Sequence, residues 1–250
     1  MRSKIFLTVL SFWISAQGAW AEPFDDANAA FKSGDFAKAA KQYESILKSD
    51  GPSAAIYYNL GNAYQRLGEF GSAILAYERA KLITPRDPDL RANLNRAQKA
   101  VPAYDAAEEN RNTEAFLGYF SRDEWSWVVV GAAFVGAGII FLAGCKRLER
   151  RWMRRMAVAG VCVSVLVIGI ASTALVLRSG ESELAVVVSK EAVIRLSPFN
   201  TAGSVGSPGA GRVVSLGKAE GDFRYVTVPD QGLSGWMAEG DFGAILPHEE

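Results

Sequence analysis

Two apolar runs without a single charge stand in tandem, Trp127 to Cys145 and Met156 to Leu177. They limit what this 250-residue chain can become more than any other feature. As a helix rising 1.5 Å per residue, the first run reaches about 29 Å, close to the hydrocarbon thickness of a bilayer. A soluble fold would have to bury both runs, and too little chain remains to cover them. The segment between them, Lys146 to Arg155, holds six basic residues and one acidic residue. A short loop this basic stays cytoplasmic, which predicts a membrane hairpin with both flanks outside. Trp125 and Trp127 stand where the first helix would enter lipid, as amphipathic rings prefer. Ala132 with Gly136, and Gly160 with Ser164, set small residues four apart, a spacing that suits helix–helix contact. Neither run contains an ionisable residue, which argues against an ion path or proton relay.

The N-terminus agrees with export. Arg2 and Lys4 precede an apolar stretch that stays uncharged until Glu22 and ends in Ala19-Trp20-Ala21. This is the pattern of a secretory signal cleaved before Glu22. The flanks of the hairpin are both net acidic, −3 over residues 22–124 and −4 over 178–250. That balance speaks against nucleic acid as a partner. Cys145 and Cys162 fall in the apolar runs, so no disulfide framework holds the exported parts. The single histidine, His248, lies three residues from the end. One remote histidine excludes a Ser-His-Asp or Cys-His constellation, and no metal-ligand cluster or phosphate-cradling loop is visible. The chain is read as a non-enzyme with no cofactor.

Between the signal and the hairpin the sequence repeats itself. Gly34 and Gly68, Phe36 and Phe70, Ala39 and Ala73, and Tyr43 and Tyr77 are each 34 residues apart, and Asn59-Leu60 recurs as Asn93-Leu94. Apolar positions recur every three or four residues, the period of an amphipathic helix. Tyr57, Leu60, Gly61, Tyr64, Gly68, Phe70, Ala73, Tyr77, Ala80 and Pro85 together resemble a tetratricopeptide repeat (TPR), two helices per 34 residues. Asp26 and Ala27 depart from the pattern in the first repeat. A last helix from Pro88 to Val101 is expected to cap the open end of the stack. The resemblance implies a concave groove for a peptide or protein partner. Asn28, Asn62 and Arg96 occupy the ninth position of successive first helices, and Phe31, Tyr58, Gln65 and Lys99 complete the candidate peptide-binding set. The Asn-Asn-Arg set resembles a clamp for a C-terminal carboxylate, a group that charge-assisted hydrogen bonds hold well. Phe24 and Ala92 stand where that clamp would place lysines. Residues 102–124 read as an acidic linker that turns aromatic at Phe116, Tyr119 and Phe120, or as one more packed helix.

After the hairpin, residues 184–246 alternate apolar and polar residues between glycine-rich turns, the pattern of short antiparallel strands. Val193-Ile194-Arg195-Leu196-Ser197-Pro198, Gly211 to Leu216, Phe223 with Val226, and Gly235-Trp236 resemble the landmarks of bacterial SH3-like domains. Tyr225 and Trp236 are the candidate contact surface there, with Trp236 alternatively a core residue.

The chain therefore reads as a multidomain membrane protein: an all-α TPR solenoid, a two-helix membrane hairpin and a small all-β SH3-like barrel. The expected boundaries are signal peptide 1–21, TPR domain 22–101, linker 102–124, first transmembrane helix 125–145, cytoplasmic loop 146–155, second transmembrane helix 156–177 and SH3-like domain 178–250. In that order the parts resemble the BatE family, the TPR component of bacterial aerotolerance operons. The resemblance implies an inner-membrane protein with both domains outside the cytoplasm, von Willebrand A-type membrane partners and a role in oxidative-stress tolerance. The alternative is a cell-envelope module whose SH3-like domain binds peptidoglycan and whose repeats recruit a wall enzyme.

Overall fold

A computed structural model of the chain describes residues 21–101, 118–145, 151–177 and 183–246. The expected signal peptide up to residue 20, linker residues 102–117, loop residues 146–150 and His248 lie outside the described residues. The chain forms two compact units. One joins the chain up to Ile83, Asp87–Asp105 and Leu184 onward; the other holds Thr84–Arg86 and Ala106–Glu183.

The first unit begins with five helices: α1 (Ala21–Lys32), α2 (Phe36–Asp50), α3 (Ala54–Leu67), α4 (Phe70–Ile83) and α5 (Pro88–Lys99). They form two pairs and a single helix, in the places the 34-residue period predicts. Local chemistry sets the ends. The Asp35 carboxylate accepts the Lys38 N–H at 3.1 Å and caps α2. Gly68 closes α3 in the left-handed region at φ 73°, where a side chain would be strained. Asp87 accepts the N–H groups of Asp89 and Leu90, and Pro88 takes the first helical position of α5. Within the second pair a methyl at Gly61 would sit 2.5 Å from the Tyr77 ring, so only glycine lets α3 and α4 approach so closely.

The same unit continues in seven strands: β1 (Leu184–Val187), β2 (Ile194–Arg195), β3 (Ser204–Gly206), β4 (Val213–Glu220), β5 (Phe223–Val228), β6 (Leu233–Ala238) and β7 (Phe242–Ala244). They make one antiparallel sheet in the order β3-β2-β6-β5-β4-β1-β7. Ala185, Val187, Ile194, Val214, Val226, Val228, Met237 and Phe242 pack in its own core.

The sheet and the helices are not separate bodies. Val186, 0% exposed, and Ile245 pack in one apolar cluster with Tyr57, Ile74, Tyr77, Leu90 and Leu94. Because side chains alternate along a strand, β1 sends Ala185 and Val187 to the sheet core and Val186 to the helices. The expected cap at the open end of the stack is thus shared: α5 buries Leu90, Leu94 and Ala97, and β1 with the residues around β7 covers the rest.

The second unit holds α6 (Arg122–Cys145) and α7 (Arg151–Leu177), both long and apolar enough to cross a membrane. Ser121 and Glu124 start α6 with a reciprocal capping box, at 2.8 Å and 3.2 Å. Arg151, Arg154 and Arg155, assigned to the loop from sequence, lie in the first turns of α7. The helices pack on small residues: a methyl at Gly136 would lie 3.2 Å from Ser164 Cβ, and one at Gly160 would meet Ile139. The two tryptophans expected at the lipid boundary differ. Trp127 is 73% exposed, whereas Trp125 is buried with Phe120, Ala171 and Ala174.

Candidate functional site

The first helices α1, α3 and α5 carry a hydrogen-bond pattern that repeats with the sequence. Tyr43 Oη, from α2, donates to Asn28 Oδ1 of α1 at 2.7 Å, and Asn59 Nδ2 of α3 donates to the same oxygen at 3.4 Å. Thirty-four residues on, Tyr77 Oη donates to Asn62 Oδ1 at 2.7 Å and Asn93 Nδ2 donates to it at 2.9 Å. Each asparagine at the ninth position is therefore tied to the second helix of its own pair and to the first helix of the next. Its oxygen is occupied from within the fold, and the group it has left to offer a ligand is the Nδ2 amide, a donor.

The second of these nodes is a network. Asn93 Nδ2 also lies 3.0 Å from Tyr58 Oη, and Arg96 Nη1 donates to Asn93 Oδ1 at 2.8 Å. Tyr77 Oη lies 2.9 Å from Gln65 Oε1, and its single proton is shared between Asn62 and Gln65. The structure thus brings four of the expected site residues together, Tyr58, Asn62, Gln65 and Arg96. Asn28 stands at the equivalent node one repeat earlier. Phe31 packs edge-on to Phe36 with ring centroids 5.2 Å apart, at the end of the first pair. Lys99 is exposed in the last turn of α5. Tyr43, Tyr77, Asn59 and Asn93, which hold the network, are absent from the sequence-derived set. The signal for them was in view: all four are among the residues that recur after 34 positions.

Burial pushes the Tyr43 and Tyr77 phenols above their ordinary value. Tyr64 is raised likewise by burial, then by its hydrogen bond to the Glu44 carboxylate. These hydroxyls stay protonated donors across the physiological range. Of the exposed cations of the first helices, Lys32, Arg66, Arg96 and Lys99 stand in last turns, and Arg91 lies near the start of α5. Amide donors and cations together make a surface that receives acceptors and negative charge.

Residues 24–91 match the family model of the tetratricopeptide repeat. The match runs from α1 into α5 and contains Asn28 and Asn62, ending just short of Asn93 and Arg96. TPR arrays are in general non-catalytic modules for protein–protein interaction, and the match suggests an interaction scaffold for this helical layer. No curated protein matches the chain.

The other candidate pair lies on the sheet. Tyr225 and Trp236 are register partners on β5 and β6, with rings edge-on at 5.5 Å. Trp236 is only 7% exposed, and the Lys218 ammonium lies 5.1 Å from its ring centroid. The Tyr225 hydroxyl bonds Ser234 Oγ at 3.2 Å. The indole is thus packed rather than presented.

Proposed function

We propose that this chain is a membrane-anchored scaffold whose TPR groove holds an extended, acidic segment of a partner protein on the non-cytoplasmic side. The observation that carries the reading is the doubled asparagine node. It aims fixed amide donors along the first-helix face and ends at the exposed Arg96 and Lys99. Membrane anchoring is supported by the two apolar helices and by the shared core of helices and sheet. Residues 21–83, 87–101 and 184–246 fold as one unit, so they stand on the same side of any membrane that α6 and α7 cross. Two crossings return the chain to that side. The basic segment between them favours the cytoplasm for the loop. The resemblance to BatE proteins supports a role in an envelope complex for oxidative-stress tolerance, with von Willebrand A-type membrane proteins as the proposed partners.

Two measurements test this. With Cys145 and Cys162 replaced by alanine, Ser45→Cys and Asp222→Cys are expected to react with an impermeant thiol reagent applied outside the inner membrane. Glu149→Cys should react only after the membrane is opened. Outside labelling of Glu149→Cys overturns the orientation. For the groove, full-length protein in nanodiscs is titrated with an array of acidic decapeptides, each as free acid and as amide. Losing one hydrogen bond to a charged group weakens binding roughly ten- to a hundredfold, the loss expected for Arg96→Ala. If Arg96 grips the terminal carboxylate, amidation weakens wild type similarly and adds little in Arg96→Ala. An Arg96→Ala protein that binds the array as wild type does removes the groove from the reading.

A further inference from the structure

We infer that the C-terminal sheet is the closing layer of the TPR stack, and that the groove is set only once the chain has returned from its second apolar helix to dock that sheet on α4. The inference rests on the groove reading above for its binding arm alone.

Helix α4 is the element that meets the sheet. Its sequence from Ala73 to Tyr77 is five consecutive apolar residues, and Phe70, Ala80, Leu82 and Ile83 extend them round the helix. Its charges, Glu78, Arg79 and Lys81, stand in its later turns and none falls between Phe70 and Tyr77, and an apolar surface of that extent has to be buried. By contrast α2, the other second helix, carries Lys38, Lys41, Lys48 and Glu44 among its apolar positions. In a stack ending at α5, the outer side of α4 would face water. Here it faces the sheet. Gly71, Leu75 and Arg79, four apart and so on one face, all meet β1 or β7. A methyl at Gly71 would lie 2.7 Å from the Val187 carbonyl oxygen, and a side chain at Gly243 would collide with Leu75. Gly211, at φ 86°, leaves room for Ile74 and Val101. Arg79 donates two hydrogen bonds to the Ala244 carbonyl, at 2.8 Å and 3.2 Å, with its guanidinium 5.9 Å from the Tyr57 ring centroid. Such closeness of backbone to backbone marks a permanent interface rather than a passing one.

The same helix connects this interface to the groove. Ile74 and Tyr77 share a cluster with Val186 and Ile245, and the Tyr77 hydroxyl orients Asn62 and Gln65. Undocking the sheet would expose the apolar side of α4 to water and free Tyr77 to shift. Docking and peptide binding are then linked, each favouring the other.

Gly71→Ala in the full-length chain tests the inference, because two effects predict opposite signs. In an uncovered α4, alanine is the better helix former and the melting temperature rises. Under a docked sheet the methyl pushes on the β1 backbone, and the melting temperature falls by on the order of 5 °C. Hydrogen exchange should then quicken roughly tenfold in β1, β7 and α5 together, and acidic-decapeptide affinity should fall by at least about tenfold. A rise in melting temperature overturns the closing-layer role. Faster exchange confined to β1 and β7, with α5 unaffected, overturns the coupling. If wild type binds no decapeptide, the groove reading has failed, and the exchange result still decides this one. Should Gly71→Ala not fold, Arg79→Gln removes the bonds to Ala244 without touching the backbone contact. It is expected to quicken exchange in the same three elements, and unchanged exchange there sinks the inference.

Discussion

Tyr77→Ala is expected to destabilise the helical layer by about 3–5 kcal/mol, a large share of what holds a domain of this size together. The ring is fully buried between α3 and α5, and its removal leaves a cavity against Gly61, which has no side chain to refill it. The hydroxyl is lost as well, which removes that donor from Gln65 and leaves the Asn62 oxygen to Asn93. Thermal unfolding of the full chain followed by helical circular dichroism checks this. Tyr77→Phe separates the two losses. It keeps the packing, lowers stability by about 1 kcal/mol and frees the Asn62 and Gln65 side chains to turn. Decapeptide affinity should therefore fall in Tyr77→Phe although the protein stays folded. A folded Tyr77→Phe protein with wild-type affinity would mean that the node does not position the groove.

The second large effect is expected on the sheet. Trp236→Ala should lower stability by about 3 kcal/mol, because the indole is nearly covered and packs against Tyr225 and Lys218. The result bears on the cell-wall alternative, in which Trp236 is a contact residue. A ring that faced a ligand could be removed with little change in unfolding free energy. Denaturant unfolding of the full chain separates the cases: a change within about 0.5 kcal/mol, the range of ordinary surface substitutions, returns the indole to the surface and revives peptidoglycan as a ligand. Trp236→Phe, which keeps an aromatic ring on Tyr225, should retain most of the stability.

Much of this fold could be read from the sequence, for reasons that differ by region. The helix pairs were legible because the 34-residue period repeats most of the packing, with Tyr43 and Tyr77 in equivalent places, although Gly61 against Tyr77 has Ala27 as its counterpart in the first pair. The candidate groove was legible as positions and not as bonds. Asn28 and Asn62 stand out by their register, but nothing in one dimension says that Tyr43 and Tyr77 occupy their oxygens. The union of sheet and helices left a fainter trace. Arg79 and Ala244 are 165 residues apart, and a contact at that separation imposes no periodicity. Two local signs were nevertheless present. Leu184 to Val188 is an unbroken apolar run, which suits a strand buried on both faces rather than one with a polar side. From Phe70 to Tyr77 α4 bears no charge, where a free helix face would carry some, and Arg79 on the same side is turned to the Ala244 carbonyl. The lipid-boundary tryptophans show the limit of a compositional rule. It places aromatic rings at a depth, whereas the packing of Phe120 and Ala174 decides which way Trp125 turns.

A globular unit interrupted by two long apolar helices also sets a clock. The ribosome adds about 5–20 residues per second, and about a hundred residues separate the end of α4 from β1. For roughly 5–20 s of each synthesis the newborn helices have Ile74 and Leu75 uncovered, at a time when the strands that will cover them do not yet exist. Whatever shields that surface in the interval, a chaperone or the bilayer face itself, is as much a requirement of this architecture as any partner of the finished protein.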